Sequence, residues 1–170
     1  MLMRKHSRIN MPILKILTIH NNEKTLRQKS EEIVIDKIIS CEMQNFFKNL
    51  EKTMRASDGI GLAAPQVGRL IRVIAVNTLA TSSSVNGDKI EIFINPKILK
   101  KSLLTSTMEE GCLSIPGIFG KVKRHRKILV EYLNKQGEKI RQKFDKMPAR
   151  ILQHEIDHLD GVLFIDRILK

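Results

Sequence analysis

The sequence predicts an α+β fold, with antiparallel sheets packed around a central C-terminal helix and an amphipathic helix nearer the N-terminus. Three observations carry this expectation. Apolar residues recur at helical spacing between Ile39 and Met54, five strand-like runs follow, and a second amphipathic segment closes the chain. Short connections between strands favour antiparallel pairing, and the order helix, strands, helix is that of an α+β domain. At 170 residues the chain fits one domain that buries roughly 70% of its unfolded surface. Residues 13–170 are expected to form it, after a flexible basic tail over residues 1–12.

The first helix is expected from Asp36, as N-cap, through Ile39, Met43, Phe46, Leu50 and Met54, with Asp58-Gly59 as its stop. Its Met and Phe stripe reads as core, and so does Cys41 near its start. Gly59 to Gly68 is too rich in glycine for an ordinary loop and too apolar for a linker. Strands are expected at Arg72 to Asn77, Ile90 to Asn95, Ile98 to Leu104, Lys127 to Leu133 and Lys139 to Phe144, with turns at Ser82 to Gly87 and Asn134 to Gly137. The last helix begins near Pro148, where a missing N–H does no harm, and stops at Gly161.

Composition narrows the function classes. No apolar run approaches the roughly 18 residues of a membrane helix, and the N-terminus lacks a signal-peptide core, so a soluble intracellular protein is expected. Cys41 and Cys112 are too few for a disulfide framework. A net charge of +12 makes a polyanion such as RNA a candidate neighbour. The lysines are scattered, however, and one Tyr and no Trp leave little to interleave with them.

His154-Glu155-Ile-Asp-His158 is an H-E-x-x-H motif. Residues i and i+4 are neighbours on a helix, so both imidazoles can face one ion with Glu155 between them. At about 100° per residue, Ile151, Glu155 and His158 share a face with His154 beside it, next to an apolar stripe of Leu152, Ile156 and Leu159. The ligand face therefore borders the core. A catalytic metal site usually takes three protein ligands and an open position. An extended motif would put a third histidine at position 164, which is Phe164, and the twelve residues after His158 hold no second helix. An upstream ligand is needed, and Cys112 is the best candidate, since Gly111 before it and Pro116 after it suggest a strand end with a constrained backbone. A Cys and two His suit Fe(II), Ni(II), Co(II) or Zn(II).

Gly59-Ile-Gly-Leu-Ala-Ala-Pro-Gln66, Glu110-Gly-Cys-Leu-Ser114 and Gln153-His-Glu-Ile-Asp-His158 resemble, in order, the three signature motifs of peptide deformylases. The resemblance runs from about Ile13 to Arg167. It implies a metal-dependent hydrolase that removes the N-formyl group from the formyl-methionine of nascent proteins and releases formate. It also implies Cys112, His154 and His158 as metal ligands, with Fe(II) as the native ion and Zn(II), Ni(II) or Co(II) as substitutes. Glu155 would be the general base, and the Gln66 amide and Leu113 N–H would hold the formyl oxygen. Gly61 would let the substrate backbone approach closely as an added strand, and Ile60 and Gly111 would also bind substrate. Phe119 stands where many members carry Arg. The chain also lacks the C-terminal helical extension with which some bacterial members dock on the ribosome. Any ribosome contact is therefore expected through the basic surface, for a monomer in the bacterial cytoplasm rather than an organelle. Two rival readings are an H-E-x-x-H endopeptidase and a non-enzymatic RNA- or ribosome-binding domain.

Overall fold

The computed structural model describes residues 12–80 and 89–169. Helices α1 (Ile19–Leu26), α2 (Ile35–Ile38) and α3 (Cys41–Ala56) precede strands β1 (Gly61–Ala63), β2 (Val73–Asn77) and β3 (Ile90–Lys101). Then come β4 (Thr105–Cys112), β5 (Ile115–His125), β6 (Lys127–Leu133), β7 (Lys139–Asp145) and α4 (Lys146–Leu159). The strands form a five-stranded sheet, β1-β2-β3-β6-β7, and a separate β4-β5 pair. Every strand pairing is antiparallel.

Strand β2 shows how the layers stack. All five of its residues are buried, and successive side chains point to opposite faces. Val73 and Ala75 join the cluster built by Phe47, Leu50 and Met54 of α3. Ile74 and Val76 join the opposite cluster, with Leu152, Ile156 and Leu159 of α4. The large sheet is thus sandwiched between two helices, and α4, the expected central helix, packs against β1, β2 and β7. A third cluster of Leu26, Ile115, Val122, Leu163 and Phe164 sits under the β4-β5 pair.

The expected α+β order holds, with corrections at the edges. The first helix is broken: Ser40, not Asp36, caps α3 by accepting the Met43 N–H at 3.2 Å. The stretch Ile35–Ile38 is a separate turn of helix that leaves Ile39 exposed. Cys41, expected in the core, is exposed at the first turn of α3. The two runs expected at Ile90 to Asn95 and Ile98 to Leu104 are one strand, kinked at Asn95 and Pro96, where the register shifts. Asn95 there has φ 51°, and its side chain bonds both the N–H and the C=O of Ile33. Helix α1 and strands β1 and β5 were not anticipated, and of β4 only its end at Cys112 was expected. The first two are short, and β5 carries Gly and Lys over mostly exposed positions. The expected tail, apart from Pro12, and the turn at Ser82 to Gly87 lie outside the described residues.

Helix α4 is fixed at its C-terminal end, which matters because the site lies on its last two turns. Gly161 adopts φ 72°, its N–H bonds the His158 carbonyl, and the Val162 N–H bonds the Asp157 carbonyl at 2.9 Å. This is the double bond pattern of a Schellman stop. The buried Arg72, just before β2, adds a 2.7 Å ion pair with Asp160, favourable beside a helix C-terminus. A Cβ on Gly161 would also run into the backbone carbonyl of Arg27. Gly161→Ala is therefore expected to cost about 1–3 kcal/mol through left-handed strain and displacement of that carbonyl. A urea midpoint equal to wild type would show that the turn tolerates a side chain.

Candidate metal centre

Three elements meet at a cleft of about 480 Å³. The first is the glycine-rich segment, which passes from β1 into a short 3-10 helix at Ala64–Val67 with Pro65 in its first turn. It buries Gln66, whose Oε1 accepts the Ala63 N–H at 2.8 Å. Its Nε2 donates to Ser114 Oγ at 3.1 Å and approaches Cys112 Sγ at 3.4 Å. The second element is the end of β4, where the register shifts between Glu110 and Cys112 as at a β-bulge. The third is α4, carrying His154, Glu155 and His158.

Cys112, His154 and His158 offer ligand atoms that all lie within 4.8 Å of one another. Cys112 Sγ and His158 Nε2 are 3.2 Å apart. His154 Nδ1 faces Glu110 Oε2 at 3.0 Å, which leaves its Nε2 available to an ion. One sulfur and two imidazole nitrogens suit a divalent first-row metal, and three ligands leave a position open. The residues fit such an ion. Phe164, at the position where a third histidine would extend the motif, is buried and stacks on His154 with ring centroids 6.0 Å apart.

Electrostatics sharpen the arrangement. Burial pushes the Glu155 carboxyl up to about 7, against the pull of His154 and Arg124. Its Oε2 has no hydrogen-bond partner among the described residues. Burial, then the charges of His154 and Arg124, drive His158 well below the usual imidazole range, so it stays neutral as a ligand must. Burial opposes charge on His154, but the sulfur of Cys112 and the Glu110 carboxylate outweigh it and push the ring up to about 10. An arriving cation would displace that proton.

Of the residues singled out in the sequence, Ile60, Gly61, Gln66, Gly111, Cys112, Leu113, His154 and Glu155 line this cleft, and His158 lies behind Cys112. Gly61 differs from expectation in one respect. Its missing Cβ makes room for the Glu155 carboxylate and Ile151, on which any added side chain would collide, rather than standing open to a ligand.

A buried charge network went unnoticed in the sequence. Glu110 takes the Nε and Nη2 of Arg124 at 3.0 and 2.9 Å and an Nη1 bond from Arg150, besides its contact with His154. Arg124 reaches on to Asp157, which Arg167 grips in bidentate fashion at 2.6 and 2.7 Å. Burial would raise the pKa of Glu110, but the hydrogen bonds of His154 and Arg124 hold it well below the usual carboxylate range. Little in the sequence marks it, because the register shift between Glu110 and Cys112 breaks the regular alternation of side chains along β4.

Comparison with known proteins agrees with this geometry. Residues 13–170 match the family model for polypeptide deformylase. A peptide deformylase of Pseudothermotoga lettingae is 43% identical over 145 residues, which cover 84% of this chain and 77% of that protein. The crystal structure of peptide deformylase from Thermotoga maritima superposes with a TM-score of 0.83 at 35% identity, covering 94% of this chain and 99% of that one. A probable peptide deformylase from Synechococcus phage S-SSM7 superposes with a TM-score of 0.80 at 46% identity, covering 91% and 99%. With all three motifs at one cleft and the match spanning nearly its whole length, the chain belongs to the polypeptide deformylase family.

Proposed function

We propose that the cleft between β1, β4 and α4 is where this chain hydrolyses the N-formyl group of formyl-methionyl peptides. As a member of this family the chain is a metal-dependent hydrolase acting on such peptides. The observation that carries the placement is the convergence of Cys112, His154 and His158 donor atoms at a cleft also lined by the buried carboxylate of Glu155.

Cys112, His154 and His158 would hold the ion. When bound, it supplies Lewis acidity, which acidifies water towards a pKa of about 7 and polarises a carbonyl. Glu155 is the general base, poised near neutrality by burial. It takes a proton from the attacking water and returns it to the leaving amine, which gives formate and a free methionyl N-terminus. The Gln66 amide and the Leu113 N–H stabilise the oxyanion. Gln66 is well placed for this role. Its Oε1 and one Nε2 hydrogen are engaged by Ala63 and Ser114, so the amide is held still while its contact with Cys112 can be exchanged for the formyl oxygen. Ile60, Gly61 and Gly111 border the path of the peptide backbone.

Fe(II) is the native ion in this reading, with Zn(II), Ni(II) or Co(II) as substitutes, because a ligand sulfur and two imidazoles accept each of them. Residues 13–170 act as one catalytic domain. The chain works as a monomer in the bacterial cytoplasm and meets the ribosome, if at all, through its basic surface. No described helix is long and apolar enough to cross a membrane.

The decisive experiment is anaerobic purification with metal analysis, followed by formate release from formyl-Met peptides against acetyl-Met controls. Glu155→Ala should retain metal yet lose at least about 10³-fold in formate release, within the range of general-base contributions. Cys112→Ala should fail to hold metal at neutral pH. Formate release at the wild-type rate in either variant would sink the assignment. Glu110→Gln keeps the shape but removes the charge that orients His154, so metal affinity should fall by about 10–100-fold. An unchanged metal dissociation constant would reduce Glu110 to a structural role.

A further inference from the structure

We infer that Phe119 selects the residues that follow the formyl-methionine, favouring apolar side chains and disfavouring acidic ones; this rests on the deformylase reading of the cleft. Phe119 lies on β5 beside the register shift of the hairpin, where Glu110 pairs with Gly120 and Cys112 with Ile115. A Cβ placed on Gly111 would meet the ring of Phe119 at 2.6 and 2.8 Å. The ring edge therefore lies on bare β4 backbone, one residue from Cys112, as an aromatic shielding a cross-strand glycine. Glycine at 111 is what admits the ring to this position.

Although pinned in this way, Phe119 is 66% exposed. It forms one wall of the cleft with Ile118 and Pro116, themselves exposed, and with Met147. Apolar surface held rigid at the mouth of a site can be buried by a ligand at little cost in ordering. The charges in the lining of the cleft disfavour the alternative ligand. Asp58 and Glu109 are exposed carboxylates. Among the described lining residues, Arg150 is committed to Glu110, Val122 O and Ser106 O, and His154 faces Glu110 and would give up its proton as the ion binds. An acidic peptide side chain would find no free counter-charge in this lining and two like charges. An apolar one would cover Phe119 and Ile118.

The test is formate release by the metal-loaded enzyme on two series of formyl-Met tripeptides, varying the second and then the third residue among Phe, Leu, Ser, Lys and Asp. Wild type should prefer Phe or Leu over Asp by about tenfold or more in kcat/KM at one of these positions, with the difference in KM, since a hydrophobic contact of this size discriminates by about 10–200-fold. Phe119→Ala should collapse that ratio towards one, Phe119→Leu should keep part of it, and Phe119→Arg should shift preference towards Asp. The same ranking in Phe119→Ala and Phe119→Arg as in wild type would overturn the inference while leaving the deformylase reading intact. No formate from any peptide with the loaded wild-type enzyme would overturn the reading itself, and this inference with it.

Discussion

The buried carboxylate of Glu110 is the contact on which the site depends. It joins three elements that no apolar cluster unites: it sits on β4, takes Arg124 from β5, and takes both Arg150 and His154 from α4. Removing one partner from a buried ion group leaves an uncompensated charge, which typically costs about 3–5 kcal/mol. The four groups therefore stand or fall together. The energetic consequence has a chemical one, because the same carboxylate that anchors the hairpin fixes which nitrogen of His154 faces the ion position.

Helix α4 is consequently held by different forces on its two sides. Towards the five-stranded sheet it presents Leu152, Ile156 and Leu159, a non-directional contact that tolerates small rotations. Towards the β4-β5 hairpin it presents Arg150, Gln153 and Asp157. Gln153 exchanges two hydrogen bonds with the backbone of His125, at 3.1 and 2.9 Å, and Asp157 receives Arg124. Hydrogen bonds and ion pairs with fixed geometry set the rotation of the helix, and that rotation decides whether His154 and His158 can address one point with Cys112.

How far the sequence could foresee this follows from the same division. The apolar stripe of α4, the run Val73 to Asn77 and the metal motif leave local marks, a period or a spacing, and all three were legible. The Cys112 ligand was reached by elimination, since nothing in its own surroundings requires a metal. The roles of Arg124, Arg150 and Asp157 were not visible, because a charged residue on a strand or helix ordinarily faces solvent and only the tertiary fold turns these three inward. Helix α1 escaped because it is eight residues long with little apolar content. The break before α3 escaped because Ser40 caps just as well as Asp36 and lies four residues further on.

Gly61 and Glu155 show why the rest of the molecule must be rigid. Glu155 is 4% exposed, and burial disfavours the charged form of its carboxylate. The backbone of β1 at Gly61, bare of a side chain, lies against the carboxylate where a Cβ would collide with it. β1 in turn is held by pairing with β2, and α4 by Arg72, Gly161 and the Glu110 network. The burial of Glu155 is therefore maintained from β1 as well as from α4, and its elevated proton affinity depends on the fold as much as on the helix that carries it.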